Sequence, residues 1–155
     1  MGLFSRRKAM RYADEGFDAH EAGDLRKAEE LYLLGLQADE GVAHLHYLYG
    51  RLLIETARPR AAEKELRRAI ELDSTIAEAY SLLGSLLHEQ GRLKEAEELY
   101  LNALRIKPDY VNVYRNLITL YRDTMQFEKV SETAKEALKY VQDPALRTEF
   151  EELIF

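Results

Sequence analysis

No cysteine occurs anywhere in the chain, which excludes disulfides and thiolate metal sites outright. Tryptophan is absent too, and glycine and proline are scarce at eight and three residues of 155. So few breakers exclude a disordered linker or a fibrous repeat. No stretch approaches the roughly 18 apolar residues that span a bilayer. The basic start Met1-Gly2-Leu3-Phe4-Ser5-Arg6-Arg7-Lys8 is followed by charges where a signal peptide needs an apolar core. Gly2 after Met1 suggests myristoylation, but that motif wants Ser or Thr where Arg6 stands. A cytoplasmic protein without a membrane partner is the expectation.

What is present is charge and apolar surface in the proportions of a helix-rich domain, 32% and 46% of the residues. The net charge is −6, and residues 1–8 carry three positive charges, leaving −9 on the remainder. An acidic body repels phosphate backbones, so a nucleic-acid partner is not expected.

The chain aligns with itself at an offset of 34 residues. Segments 9–42, 43–76, 77–110 and 111–144 superpose without gaps, between a basic tail at 1–8 and a terminal segment at 145–155. An aromatic opening recurs as Tyr12, His46, Tyr80 and Tyr114. A small residue follows at Gly16, Gly50 and Gly84, replaced by Ile118, and a second at Ala28, Ala62 and Ala96, replaced by Val130. Then come Tyr32, Leu66, Tyr100 and Ala134, and after them Gly35, Ala69, Ala103 and Ala137.

Each unit holds two apolar stripes at helical spacing around a breaker: Gly23-Asp24, Arg58-Pro59, Gly91-Arg92 or Met125-Gln126. Helices are predicted at 10–22, 25–38, 44–56, 59–72, 78–90, 93–106, 112–124 and 127–141. Pro144 closes the last unit, and Ala145, Leu146, Phe150, Leu153 and Ile154 form one stripe on a final short helix. A capping role is expected for it, because a repeat stack needs its open end covered. Its greasy end, Leu153-Ile154-Phe155, offers a route to homo-oligomers through another copy's groove.

This pattern resembles the tetratricopeptide-repeat family over almost the whole chain. The resemblance implies an all-α, right-handed superhelical stack of antiparallel helix pairs, with the first helix of each repeat on a concave groove. Carried over position by position, it places Phe17, His20, His44, Tyr47, Arg51, Ile54, Ser81, Ser85, His88, Arg115, Asn116, Thr119 and Arg122 in that groove. Phe17, Tyr47 and Ile54 beside Arg51 suggest an apolar anchor pocket. Arg115 and Arg122 with Asn116 and Thr119 suggest a wall suited to an acidic side chain or a C-terminal carboxylate. Glu21, Glu55, Glu89 and Asp123 fall at one repeat position and are expected along an acidic rim, about 10 Å apart. That spacing is too wide for one metal or a catalytic carboxylate pair.

Some members of the family clamp the C-terminal carboxylates of chaperone tails with Lys, Arg and Asn. Here Ala13, Phe17, Leu48, Glu78 and Leu82 stand at those positions, so that clamp is not expected. His44 and His46 lie two apart and face different ways on a helix, and no phosphate-cradling loop, nucleophile elbow or zinc-helix motif occurs. The sequence therefore predicts no catalytic site, metal or cofactor. It predicts a scaffold or adaptor that binds a peptide or helix of another protein in its groove, with a self-associating assembly unit as the alternative.

Overall fold

A computed structural model describes residues 2–155, and Met1 lies outside the described residues. Among those residues there are nine α-helices and no strand. The chain forms two compact units divided between Leu82 and Leu83.

The first unit contains α1 (Leu3–Glu21), α2 (Leu25–Ala38), α3 (Ala43–Glu55), α4 (Pro59–Leu72) and the beginning of α5 (Ala77–Glu89). Within it α1 packs on α2 and α3 packs on α4, while α3 also touches α1 and α2. The second unit holds the end of α5, then α6 (Leu93–Ile106), α7 (Val111–Asp123), α8 (Phe127–Ala137) and α9 (Pro144–Glu151). There α7 lies between α6 and α8, and α9 packs on α8.

One structural device recurs at every break between the paired helices. A left-handed residue ends the first helix at Gly23, Ala57, Gly91 and Met125, which are 34 residues apart. The next residue then donates its N–H to the carbonyl five residues back: Asp24 to Ala19, Arg58 to Leu53, Arg92 to Leu87 and Gln126 to Tyr121, at 2.7–2.9 Å. Those bonds satisfy carbonyls that the helix end would otherwise leave open. Glycine adopts the conformation freely at Gly23 and Gly91, whereas Ala57 and Met125 hold φ of 56° against steric opposition from Cβ.

Helix pairs approach closely because the small residues face large ones sixteen positions on. A Cβ at Gly16 would come within 2.6 Å of the Tyr32 ring, one at Gly50 within 2.8 Å of Leu66, and one at Gly84 within 2.8 Å of Tyr100. In the last pair the sizes are exchanged: Ile118 stands for the glycine and Ala134 for the large partner, and both are buried. The volume is conserved while the shape is reversed.

Two elements differ from the sequence expectation by more than one residue. The segment expected as a basic tail is helical from Leu3, and the expected helix start at residue 10 moves back accordingly. After Gly2 nothing interrupts it, and the Gly2 carbonyl accepts from Ser5 and Arg6 to begin the helix. Helix α8 ends at Ala137 rather than 141, because Lys139 and Tyr140 bond three residues back and tighten into turns. α9 covers the end of the second unit with Phe150, which is fully buried, and Asp143 caps its first turn through Leu146 N–H at 2.9 Å.

Candidate functional site

Four of the expected groove residues meet in the first unit. Phe17 on α1 and His44, Tyr47 and Arg51 on α3 line one groove of about 410 Å³, together with Ala13, Asp14, Leu48, Ile76 and Glu78. The geometry follows from helical spacing: Ala13, Asp14 and Phe17 share a face of α1, as His44, Tyr47, Leu48 and Arg51 do of α3. Ala13 and Leu48 are buried and form the floor, whereas Phe17 is 39% exposed.

The walls are ordered. His44 and Tyr47 pack as a tilted ring pair with centroids 5.7 Å apart, and the Arg51 guanidinium lies 5.9 Å from the centre of the Phe17 ring. Arg51 Nη2 donates to Glu21 Oε1 at 2.6 Å, and its Nε reaches Glu55 Oε1 at 3.4 Å. Burial opposes the Arg51 charge, but Glu21 and then Glu55 outweigh it and raise the pKa above the usual arginine value. Desolvation holds the His44 pKa below the usual histidine value, against the attraction of Asp14 and Glu78. Burial thus favours the neutral form of the His44 imidazole, with acids at the groove's edge.

Several expected positions are not groove surface. His20 is buried, with Nδ1 3.2 Å from the Tyr32 hydroxyl and Nε2 2.9 Å from Glu55 Oε2. Ser81 is buried as well, and Ile54 is half-buried outside the groove lining. For His20 the reason is visible: its ring sits between Tyr32 of its own pair and Glu55 of the next, so its face is packing surface.

In the second unit Ser85 receives the Tyr100 hydroxyl at 3.1 Å and Asn116 Nδ2 at 3.3 Å. His88 Nε2 lies 3.0 Å from Asp123 Oδ2, repeating the His20–Glu55 pairing at the same separation of 35 residues. Thr119 is exposed and donates its hydroxyl to the Arg115 carbonyl at 3.0 Å.

The expected basic wall is altered most. Arg115 is held by Glu149 of α9 in a two-pronged pair, Nε to Oε1 at 3.0 Å and Nη2 to Oε2 at 2.8 Å. Its fork is therefore already filled by a carboxylate from the chain itself. Arg122 is exposed. The acidic rim is altered too, since Glu21, Glu55 and Asp123 are each engaged by Arg51 or a histidine, while Glu89 is exposed.

His46 occupies the aromatic packing position, as its place in the repeat suggests, yet it is a charged hub. Its Nδ1 lies 2.6 Å from Glu65 Oε2, and its Nε2 lies 2.8 Å from the Glu40 carbonyl. Both partners only accept, so the ring carries two protons. Burial works against that charge, but Glu65 and Glu40 prevail and raise the pKa. Three of the four histidines are thus tied into packing. Among the described residues no group of three His, Asp or Glu is placed to hold a metal ion, and no helix is long and apolar enough to cross a membrane.

A second cavity, about 540 Å³, lies in the second unit and was not legible in the repeat pattern. It is a furrow among α6, α7 and α8 lined by Leu101, Leu104, Tyr114, Tyr121 and Tyr140. Its tyrosines are committed to structure: Tyr114 donates to the Pro108 carbonyl and stacks on Tyr140, and Tyr121 donates to Glu97.

Residues 47–111 match the tetratricopeptide repeat family model. Over nearly its whole length the chain has the fold of solved proteins of that kind. It superposes on the Pseudomonas aeruginosa pilF structure with a TM-score of 0.83 at 22% identity, covering 96% of this chain and 68% of that one. The MamA protein gives 0.77 at 22% identity over 94% of this chain and 87% of MamA. The first repeat domain of Spaghetti (RPAP3), bound to HSP90 peptide SRMEEVD, gives 0.74 at 21% identity over 77% and 95%. No curated protein sequence matches the chain. In repeat pattern and in fold, the chain is similar to tetratricopeptide-repeat proteins.

Proposed function

We propose that the chain is a non-catalytic scaffold or adaptor that binds a segment of another protein in the groove between α1 and α3. The observation that carries this reading is the placement of Phe17, an exposed aromatic, with the tilted ring pair His44 and Tyr47 over an apolar floor of Ala13 and Leu48. Aromatic side chains in a concave, partly desolvated site are the usual anchors of protein recognition. A neighbour in fold, Spaghetti, holds a peptide, which supports a peptide partner here.

A partner carboxylate at Arg115 must displace Glu149, so the acidic-partner reading rests chiefly on Arg122. The test is capture from cell lysate by the native chain and by a Phe17→Ala, Tyr47→Ala variant of equal helicity. A protein retained by the native chain and lost by the variant supports the groove. Equal retention by both moves recognition to another face.

A second reading is self-assembly through the C-terminal end, favoured by Phe155, which is 76% exposed next to half-buried Leu153 and Ile154. Light scattering over a concentration series decides it. A mass that rises with concentration, and stops rising once residues 153–155 are removed, supports assembly. A constant monomer mass ends that reading.

A further inference from the structure

We propose that the occupant of the α1/α3 groove is a cationic segment, in which a bulky apolar side chain is flanked by lysine or arginine. The inference rests on the reading that this groove holds a partner, and it reverses the charge that the arginines of the sequence suggest.

The argument is one of charge complementarity. Arg51 is the arginine in the groove lining, and it arrives neutralised by Glu21 and Glu55. An entering carboxylate would compete with Glu21, 2.6 Å from Arg51, and with Glu55, and would meet Asp14 and Glu78 in the same lining. Like charges brought together in a partly desolvated site are strongly disfavoured. An entering ammonium or guanidinium leaves the Arg51–Glu21 pair in place and gains Asp14, which is exposed on α1. It can also lie over the faces of Phe17 and Tyr47, as Arg51 already does over Phe17 at 5.9 Å. The buried floor of Ala13 and Leu48 accepts only an apolar group, which fixes the bulky residue between the cations. Short-range apolar contact supplies the anchor, and the acids supply selection and faster encounter.

The experiment is selection from a random peptide display library on the immobilised chain, followed by binding measurements on the enriched peptides. The expected consensus is an aromatic or large aliphatic residue with Lys or Arg within three positions. Affinity is expected to fall about fivefold or more in Asp14→Lys, less in Asp14→Asn, and to weaken as salt rises to physiological strength. Asp14→Asn keeps the shape of the residue, so the charge effect stays readable if Asp14→Lys folds poorly. A neutral or acid-rich consensus whose binding still depends on Phe17 overturns this inference and leaves the groove reading standing. Peptides insensitive to Phe17→Ala, or no enrichment at all, overturn both.

Discussion

Single residues decide how closely the helices of each pair approach. Gly84 faces the Tyr100 ring at a distance that leaves no room for Cβ, and Tyr100 is 1% exposed and cannot swing away. Gly84→Ile should therefore cost about 2–3 kcal/mol by overpacking, and Tyr100→Ala about 3–5 kcal/mol through the cavity it leaves. Ile118 and Ala134 show that the reversed pair also packs, so the double variant should recover much of the sum. Urea denaturation of the four proteins measures this coupling; strict additivity would mean the two sites do not share one volume. Met125 makes the opposite case. It holds the left-handed conformation with its side chain 78% exposed, so Met125→Gly should stabilise the chain by about 0.5–1 kcal/mol. An unchanged or lower urea midpoint would contradict that assignment.

His46 adds a pH dependence at the same scale. Its folded pKa is raised above the usual value of about 6.5, so its pair with Glu65 contributes fully below that value. The contribution is lost as pH rises through the raised folded pKa. Relative to His46→Tyr, which restores the aromatic of the other repeats, the native chain should lose stability as pH rises from about 6.5 through the raised folded pKa. A difference that stays flat across that window would show that the ring is neutral throughout.

At the scale of elements, much was legible in the sequence. Helices at 25–38, 59–72 and 93–106 were predicted with the boundaries found, and three first helices fall one residue early. Glycine, proline and apolar period carry that information locally. The pairings were not legible. Glu149 with Arg115, Glu55 with His20 and Glu65 with His46 join residues on different helices, and their distances exist only once the helices pack. The buried sides of His20 and Ser81 were missed for the same reason, since a repeat position does not say which neighbour will cover it. The capping helix illustrates the part that could be read. Phe150 is fully buried while Phe155 is 76% exposed, so Phe150→Ala should cost about 3–5 kcal/mol and Phe155→Ala under about 0.5 kcal/mol. Comparable losses for the two would mean that the terminal residue, too, packs as core.

At the scale of the molecule, the chain combines a repeat frame that orders its helices with side chains that distinguish one face from the rest. Repeat frames differ from one another in function through groove decoration, because the backbone serves every member alike. Here the decoration is aromatic and acidic in the first unit, with Arg51 bridging two carboxylates beside Phe17. The direct test is photo-crosslinking in lysate with a benzophenone amino acid placed at Phe17 and, in a separate protein, at exposed Lys135 on α8. The account predicts a discrete adduct to another polypeptide from Phe17 that is absent from Lys135. Adducts from Lys135 alone would place recognition outside the groove and contradict it.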